Sequence, residues 1–563
     1  MKLNKFLIAI ITILTLGLTQ CTSDFEDINK DPNAILGDQI SAKYFITGTQ
    51  VKLFAPDRYP YWRAMIIHAD RYAGMFCFGF NSSWWSDGLG YTFDSGYTDA
   101  AWDYFEGYNS TINTYLQLTQ PGGDLENSLT YATALVMKSM FYQKFTDTFG
   151  EVPYSESGNL EILQPKFDTQ AEIYQGIIND LDEAMSLIGD ATATAEGTEA
   201  LGDNDLFYNG NLQQWKMLAN TLKLRVALRA RGANGASFAD QAITEAMAAP
   251  LLSDQADNCL LPKDSEIDQW NSSCYGDVWY NFGEGSDWTV SNVVINYLQK
   301  NGDPRLSKYA QPAVGGSEIT IPKPESDSEA LYQKRKNVIV NALVDAGAEF
   351  TETTNAKGES VISMAENTYY VGQPVRLSSN MPSYTRYPLF SKPAQYIIQA
   401  KNEGEDIAPE VVLATAESYF MQAQAVLLGY GNGDANTLYR EGIRQAMLLW
   451  NVEEADIDEF LTNSPMANLD GSNDMEKVVV QRWLANYTEG FEAWAIVRKT
   501  GYPASLAAGV SDFEIYAAGN LNGEYPQRMR YGSSPYSTNN SNLQDAISSQ
   551  GADVQATKLW WAK

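Results

Sequence analysis

The chain has 563 residues and carries 70 acidic against 39 basic side chains, a formal net charge of −31. A field of that sign repels phosphate backbones and anionic lipid surfaces, which sets nucleic acid aside as a partner and says little about neutral ligands. With one histidine, His68, and four cysteines, none in a C-x-x-C pair, neither a zinc cluster nor a cysteine–histidine nucleophile pair can be assembled in the usual way.

At the start of the chain Lys2 and Lys5 precede an apolar run from Phe6 to Leu18, and Cys21 follows Thr19 and Gln20. The run is too short to span a bilayer as a helix and reads as a secretory signal. A cysteine at this place marks lipoprotein processing, with residues 1–20 as the leader and Cys21 as the lipid-bearing first residue of the mature chain. Gln20 is bulkier than the small residue usual before that cysteine, and the plainer alternative is a secretion signal with an incidental cysteine. Residues 21–40, opening with the small acidic stretch Thr22 to Asp27, read as a tether, and residues 41–563 as the body. Loss of the leader leaves 37 basic against 70 acidic side chains, a net charge of −33. No later stretch reaches the roughly 18 apolar residues of a membrane-spanning helix.

The body's length would allow several domains. No Pro/Ser tract, like-charge block or low-complexity segment marks a linker, so it reads as one compact unit or two closely packed subdomains. Helical periodicity runs over Leu129 to Phe149 (stripe Met137, Phe141, Phe145), Ala171 to Ile188, Leu212 to Arg231 and Met475 to Tyr487. The strongest case is a hairpin: Val412, Ala416, Tyr419, Ala423, Val426 and Tyr430 recur at steps of four and three, Gly431-Asn432-Gly433 breaks the helix, and Asp434 caps a second one carrying Tyr439, Ile443, Met447 and Trp450. Strand-like pieces occur at Val338 to Val344 and Tyr369 to Leu377. Segments 74–110, 253–290, 310–330 and 500–545 read as long irregular loops rich in Gly, Asn, Ser and aromatic residues. The predicted fold class is mainly α, a scaffold of helical hairpins with long loop insertions and few short strands.

Several segments, in order over almost the whole chain, resemble the SusD/RagB family of nutrient-binding outer-membrane lipoproteins. They are Phe25-Glu26-Asp27-Ile28-Asn29-Lys30-Asp31-Pro32-Asn33 after the lipid cysteine, and Asp147-Thr148-Phe149-Gly150-Glu151-Val152-Pro153-Tyr154. Tyr208-Asn209-Gly210-Asn211 with Trp215-Lys216 follows, then Asp303-Pro304-Arg305 and Ala416-Glu417-Ser418-Tyr419-Phe420. Gln481-Arg482-Trp483, Glu489-Gly490-Phe491-Glu492-Ala493-Trp494 and Gly501-Tyr502-Pro503 close the series. Trp483, Trp494 and the Gly-Tyr-Pro turn read as core aromatics and punctuation. The resemblance implies a SusD-like fold with TPR-like helix pairs and a partner, a SusC-like TonB-dependent outer-membrane transporter on which such a protein sits as an extracellular lid. It implies capture of a nutrient without covalent chemistry, so no enzyme is expected.

Sugar rings present apolar faces framed by hydroxyls, and exposed aromatic rings beside short polar side chains are the natural device to hold them. Two segments carry that chemistry. In 79–88, Trp84 and Trp85 stand among Asn81, Asp87 and small polar residues with no helical period; in 270–288, Tyr275, Trp279 and Trp288 stand with Trp270, Asn271, Tyr280 and Asp287. For the second group ordinary burial is the favoured reading. The expected ligand is an oligosaccharide, with a peptide or a surface glycoside hydrolase as alternatives. Seventy acids make close carboxylate pairs inevitable, so a glycosidase pair cannot be inferred. No cofactor is expected beyond calcium: segment 402–410 and the loop at Asp434 carry oxygen ligands of the kind it takes, without the spacing of an EF-hand. Cys259 and Cys274 are close enough in sequence to bridge in an oxidising compartment. His68, beside Ile66, Ile67 and Asp70, reads as a core histidine.

Overall fold

The computed structural model describes residues 40–77, 91–193, 200–263, 274–276, 288–378, 380–381, 387–399 and 407–563. The leader, Cys21 and the tether lie outside these residues, as do Asn81, Trp84, Trp85, Asp87 and Trp279. Among the described residues no helix is long and apolar enough to cross a membrane.

Helices dominate. They include α1 (Lys43–Phe54), a π-helical stretch Tyr61–Asp70, α2 (Ser95–Thr119), α3 (Ser128–Phe149), α4 (Gln170–Ile188), α5 (Leu212–Ala230) and α6 (Ala239–Met247). Further on come α7 (Asn292–Lys300), α8 (Glu329–Asp345), α9 (Thr415–Leu427), α10 (Ala435–Leu449), α11 (Glu454–Asn463), α12 (Asp474–Ala485) and α13 (Gly490–Thr500). Consecutive helices pack as pairs, α3 on α4, α4 on α5, α5 on α6 and α9 on α10. Their starts are written in side chains. Asn127 and Asn211 cap α3 and α5, Asp434 caps α10, and Thr169 with Glu172 forms a capping box on α4. Midway along the α9–α10 seam Gly442 lies against the Phe420 ring, where a Cβ would come within 2.6 Å, so a larger residue would pry the pair apart.

Strands are few and short: β1 (Phe76–Cys77), β2 (Val152–Pro153), β3 (Phe167–Asp168), β4 (Cys259–Leu261), β5 (Thr289–Val290), β6 (Ile319–Ile321), β7 (Phe350–Thr354), β8 (Ser360–Met364) and β9 (Glu410–Leu413). They pair antiparallel as β1–β5, β2–β3, β4–β9 and β6–β8–β7.

Four expectations need correction. Val338 to Val344 lies inside α8: its β-branched run sits in a helix that Ser328 caps and that packs Ile339 and Leu343 inward. Tyr369 to Leu377 is irregular chain with isolated bridges, Ser291 to Gln373 and Leu377 to Tyr516. Segment 74–110 is no continuous loop, because α2 begins at Ser95 with Asp94 as its cap. In the hairpin, Val412 belongs to β9, and α9 buries Phe420, Met421 and the carboxylate of Glu417 while Tyr419, Val426 and Tyr430 are only partly covered. The α10 face is as expected, with Tyr439, Ile443, Met447 and Trp450 all buried.

Helix α5 explains the α9 error. It is covered along nearly its whole length, so Arg225 and Arg229 cannot reach water and must meet acids inside. Arg225 bonds Glu417, and Arg229 bonds Asp147 and Glu492; Arg482 of α12 bonds Glu417 and Glu492. Tyr174 and the indole N–H of Trp561 also donate to Asp147. Three guanidinium groups thus face three carboxylates drawn from α3, α9 and α13. Burial alone would raise the Glu492 carboxyl, but Arg229, Arg225 and Arg482 reverse this and hold it below its ordinary range.

Trp483 and Trp494 are fully buried, as read from the sequence. The Trp494 indole donates to the Pro526 carbonyl, and the Arg498 guanidinium lies 3.6 Å from its ring centre. Gly501 caps α13 in the left-handed conformation, φ +76°. Cys77, Cys259 and Cys274 are buried free thiols, so the Cys259–Cys274 bridge is not formed. Instead the Cys274 thiol faces the Gln399 carbonyl and Cys259 lies within β4.

Beyond α3, Glu151 accepts from the Ser549 hydroxyl, and burial pushes its carboxyl from 4.5 up to about 7. An acid whose folded pKa exceeds its unfolded one contributes stability below about pH 4.5 that is lost as pH rises through about 7. Glu151→Gln is therefore expected to gain on the wild type between pH 5 and pH 8 when paired thermal melts are compared. A difference independent of pH would contradict this.

Candidate functional site

The register of the β1–β5 ladder pairs Phe76 with Val290 and Cys77 with Thr289. Segment 78–90 leaves the ladder directly after Cys77, and segment 277–287 returns to it just before Trp288 and Thr289. Both sequence-predicted aromatic segments therefore spring from one end of one two-stranded ladder. Hydrogen bonds fix that base. The Thr289 hydroxyl donates to Gln373 and to the Cys77 carbonyl, and the Ser291 hydroxyl donates to the Gly74 carbonyl.

Trp288 and Tyr275, candidates for ligand contact, are instead buried, the reading favoured for the second group. Trp288 is 0% and Tyr275 7% exposed. Their rings form a triangle with Phe76, at centroid distances of 5.6 Å, 5.6 Å and 5.8 Å. Tilted and edge-on aromatic packing of this kind holds surfaces together, so the two residues anchor the ends of their segment to the strand from which the other one departs. Tyr275 adds a second tie: its hydroxyl donates to Asp70 at 2.8 Å and to the Thr488 carbonyl at 3.2 Å. Burial pushes the Asp70 carboxyl well above its usual range, against the Tyr275 hydrogen bond. Next to Tyr275, Gly276 abuts the Gln399 backbone, where a Cβ would lie 2.0 Å from the carbonyl oxygen. Only glycine permits that approach.

The far end of segment 78–90 is equally fixed. Tyr91 is buried, with the Arg376 guanidinium 4.4 Å and the Arg71 guanidinium 5.3 Å from its ring centre. Tyr72 meets it edge-on at 5.0 Å. These anchors, Phe76, Tyr91, Arg71, Arg376 and Gly276, escaped the sequence reading. The available signal was that aromatic residues flank both segments; which rings are anchors depends on pairings between residues 200 apart.

Beside Tyr275 lies a small cavity of about 30 Å3 walled by Tyr61, Tyr396 and Trp450 and by the Lys263–Glu410 pair at 2.7 Å. The Lys263 ammonium sits 4.9 Å from the Tyr61 ring centre, and the Tyr61 hydroxyl donates to Glu410. Glu410 is thus spent on internal partners. His68 is a core residue as expected: it contacts the Arg63 carbonyl, and burial lowers its pKa to about 4. The Asp434 carboxylate accepts from the Thr437 amide and hydroxyl, while segment 401–406 lies outside the described residues. Among the described residues no cluster of three or more His, Cys, Asp or Glu is arranged to hold a metal ion.

The described residues form a mostly apolar base at the end of the ladder to which both segments connect. A SusD-like family described as starch-binding and associating with the outer membrane matches residues 69–532. A solved chitin-binding protein shares 23% identity at a TM-score of 0.70, over 93% of this chain and 100% of that one. A SusD homologue from Bacteroides uniformis shares 21% at 0.69, over 93% and 99%. A chitin-binding SusD homologue from Flavobacterium johnsoniae shares 18% at 0.66, over 92% and 98%. At these identities the likeness is one of fold. No curated protein sequence matches the chain. With the family match running from the π-helical stretch to the loop beyond α13, and the helix-pair scaffold shared along nearly the full length, the chain belongs to the SusD-like family.

Proposed function

We propose that the protein captures a neutral oligosaccharide at the cell surface without cleaving it. In this reading it is held by a lipid on Cys21 and works as the extracellular lid of a SusC-like TonB-dependent transporter. The observation that carries the reading is the shared base: the chain leaves the β1–β5 ladder toward Asn81, Trp84, Trp85 and Asp87 at the same end at which it returns from Trp279. Paired indoles and short polar side chains on a preorganised base suit the alternating apolar faces and hydroxyls of a sugar chain. Membership of a family described as starch-binding, and the chitin-binding proteins among its structural likenesses, support the same ligand class.

Against hydrolysis, the acids near the base are engaged inside the protein: Asp70 with Tyr275, Glu410 with Lys263, and Glu489 with Lys144 at 2.6 Å. A glycan array followed by calorimetry tests the proposal. Trp84→Ala and Trp85→Ala are each expected to weaken saccharide binding about 10- to 30-fold, some 1.4–2 kcal/mol, with the melting temperature unchanged. Unchanged affinity in both variants would remove these residues from the site. Binding of peptides in place of glycans would overturn the ligand class, and turnover of a polysaccharide would overturn the passive role.

A further inference from the structure

Five asparagines stand directly before a glycine: Asn209, Asn234, Asn301, Asn432 and Asn522. The pairing has a chemical consequence, because a glycine has no Cβ to shield its amide nitrogen from the side-chain amide that precedes it. Whether that nitrogen reaches the asparagine Cγ is decided by the fold, since the peptide plane between the two residues has to swing for the approach. In four pairs the plane is pinned. The Gly210 amide donates to Asp205 at 2.9 Å, the Gly302 amide to the Gln299 carbonyl at 3.1 Å and the Gly523 amide to the Ala518 carbonyl at 2.8 Å. At the fourth, the Asn234 carbonyl accepts from the Trp560 indole at 2.7 Å. Asn301 is held twice, as its own side chain also donates to the Tyr297 carbonyl.

Asn432 differs from the other four. It lies in the turn between α9 and α10, after Gly431 at φ +73°, and both Asn432 and Gly433 are exposed. On one side the Tyr430 amide is bonded to the Ala425 carbonyl; on the other the Asp434 carbonyl accepts from the Leu438 amide and the Asp434 carboxylate from Thr437. Between these ties, among the described residues, neither the Asn432 side chain and carbonyl nor the Gly433 amide is bonded to any group of the chain. The peptide plane that is fixed in the other pairs can therefore turn here without breaking a hydrogen bond.

We infer that Asn432 is a site of spontaneous deamidation, the fastest of the five in the folded protein. The Gly433 amide nitrogen gives its proton to solvent base and attacks the Asn432 Cγ. The bond from Cγ to the side-chain nitrogen breaks, that nitrogen leaves with a proton from water as ammonia, and a five-membered imide closes. Water then opens the imide at one carbonyl or the other, leaving aspartate or isoaspartate at position 432. Nothing is oxidised or reduced, and water is the only reagent consumed. The product sits where the fold accepts it: a carboxylate two residues before the Asp434 cap lies near the positive end of the α10 dipole, which favours negative charge. The modified chain stays folded and accumulates as a more acidic form. The inference does not depend on what the protein binds.

Ageing the full-length protein in mildly alkaline buffer, with peptide mapping by mass spectrometry at intervals, tests this. The peptide carrying Asn432 is expected to become one mass unit heavier, with an isoaspartate isomer beside it, about tenfold faster than the other four, a ratio that a retained hydrogen bond or two sustains. In urea the five rates should converge, because each asparagine has the same neighbour once the fold is gone. Asn432→Gln, at an exposed side chain that bonds nothing, should keep the melting temperature and remove the main acidic form seen on ion exchange. Equal rates for the five in the folded protein, or a faster site elsewhere, overturns the inference. So does an Asn432 that stays equally far ahead in urea, which would make its rate a property of the local sequence and not of the turn.

Discussion

Replacement of Glu492 by leucine is expected to destabilise the fold by about 3–5 kcal/mol, because it removes one carboxylate from a buried set of three acids and three guanidinium groups. Arg225, Arg229 and Arg482 are each at most 6% exposed at the side chain and all lie against Glu492. With the acid gone, an uncompensated positive charge stays where water cannot reach it, and Glu417 and Asp147 cannot absorb the excess. Urea unfolding at neutral pH measures the loss from the shift of the midpoint at unchanged slope. Glu492→Asp, which keeps the charge on a shorter arm, should recover part of it. A loss below about 1 kcal/mol for Glu492→Leu would mean that the guanidinium groups find other partners.

Trp288→Ala is expected to cost a further large amount, about 3–5 kcal/mol, by emptying the corner where Phe76 and Tyr275 meet it. The effect on ligand binding should differ in kind from that of Trp84→Ala. The loop variants lose affinity while keeping their melting temperature; Trp288→Ala loses melting temperature first, and Trp288→Phe restores most of it. Thermal melts without ligand, set beside calorimetry at a temperature where every variant is folded, distinguish the two. If Trp288→Ala melted like the wild type and still lost saccharide binding, Trp288 would be a ligand contact after all.

The helical scaffold was legible because it rests on local signals. The Asp434 cap and the apolar spacing along α3, α4, α5, α10 and α12 are properties of neighbouring residues, and the structure follows them within a residue or two. What failed was non-local. The run Val338 to Val344 has the composition of a strand, and only its packing through Ile339 and Leu343 makes it helical. The α9 face was misread because Glu417, polar by type, is drawn inward by Arg225 and Arg482 from two other helices. At the site, composition located the two aromatic segments without showing that they share a base. Tyr275 and Trp288 resemble Trp84 and Trp85 as residue types, so telling an anchor from an exposed ring needs the position of Phe76, some 200 residues earlier.

The three sealed sulfhydryls have a consequence for how this protein meets its surroundings. Each is withheld from solvent at a separate place, and burial pushes that of Cys77 up to about 12 and that of Cys259 well above its ordinary value, so neither of these two offers the ionised sulfur on which exchange and alkylation depend. Maturation of the folded body then calls for no oxidant, and an alkylating reagent consumes these groups only as fast as the surrounding helices open.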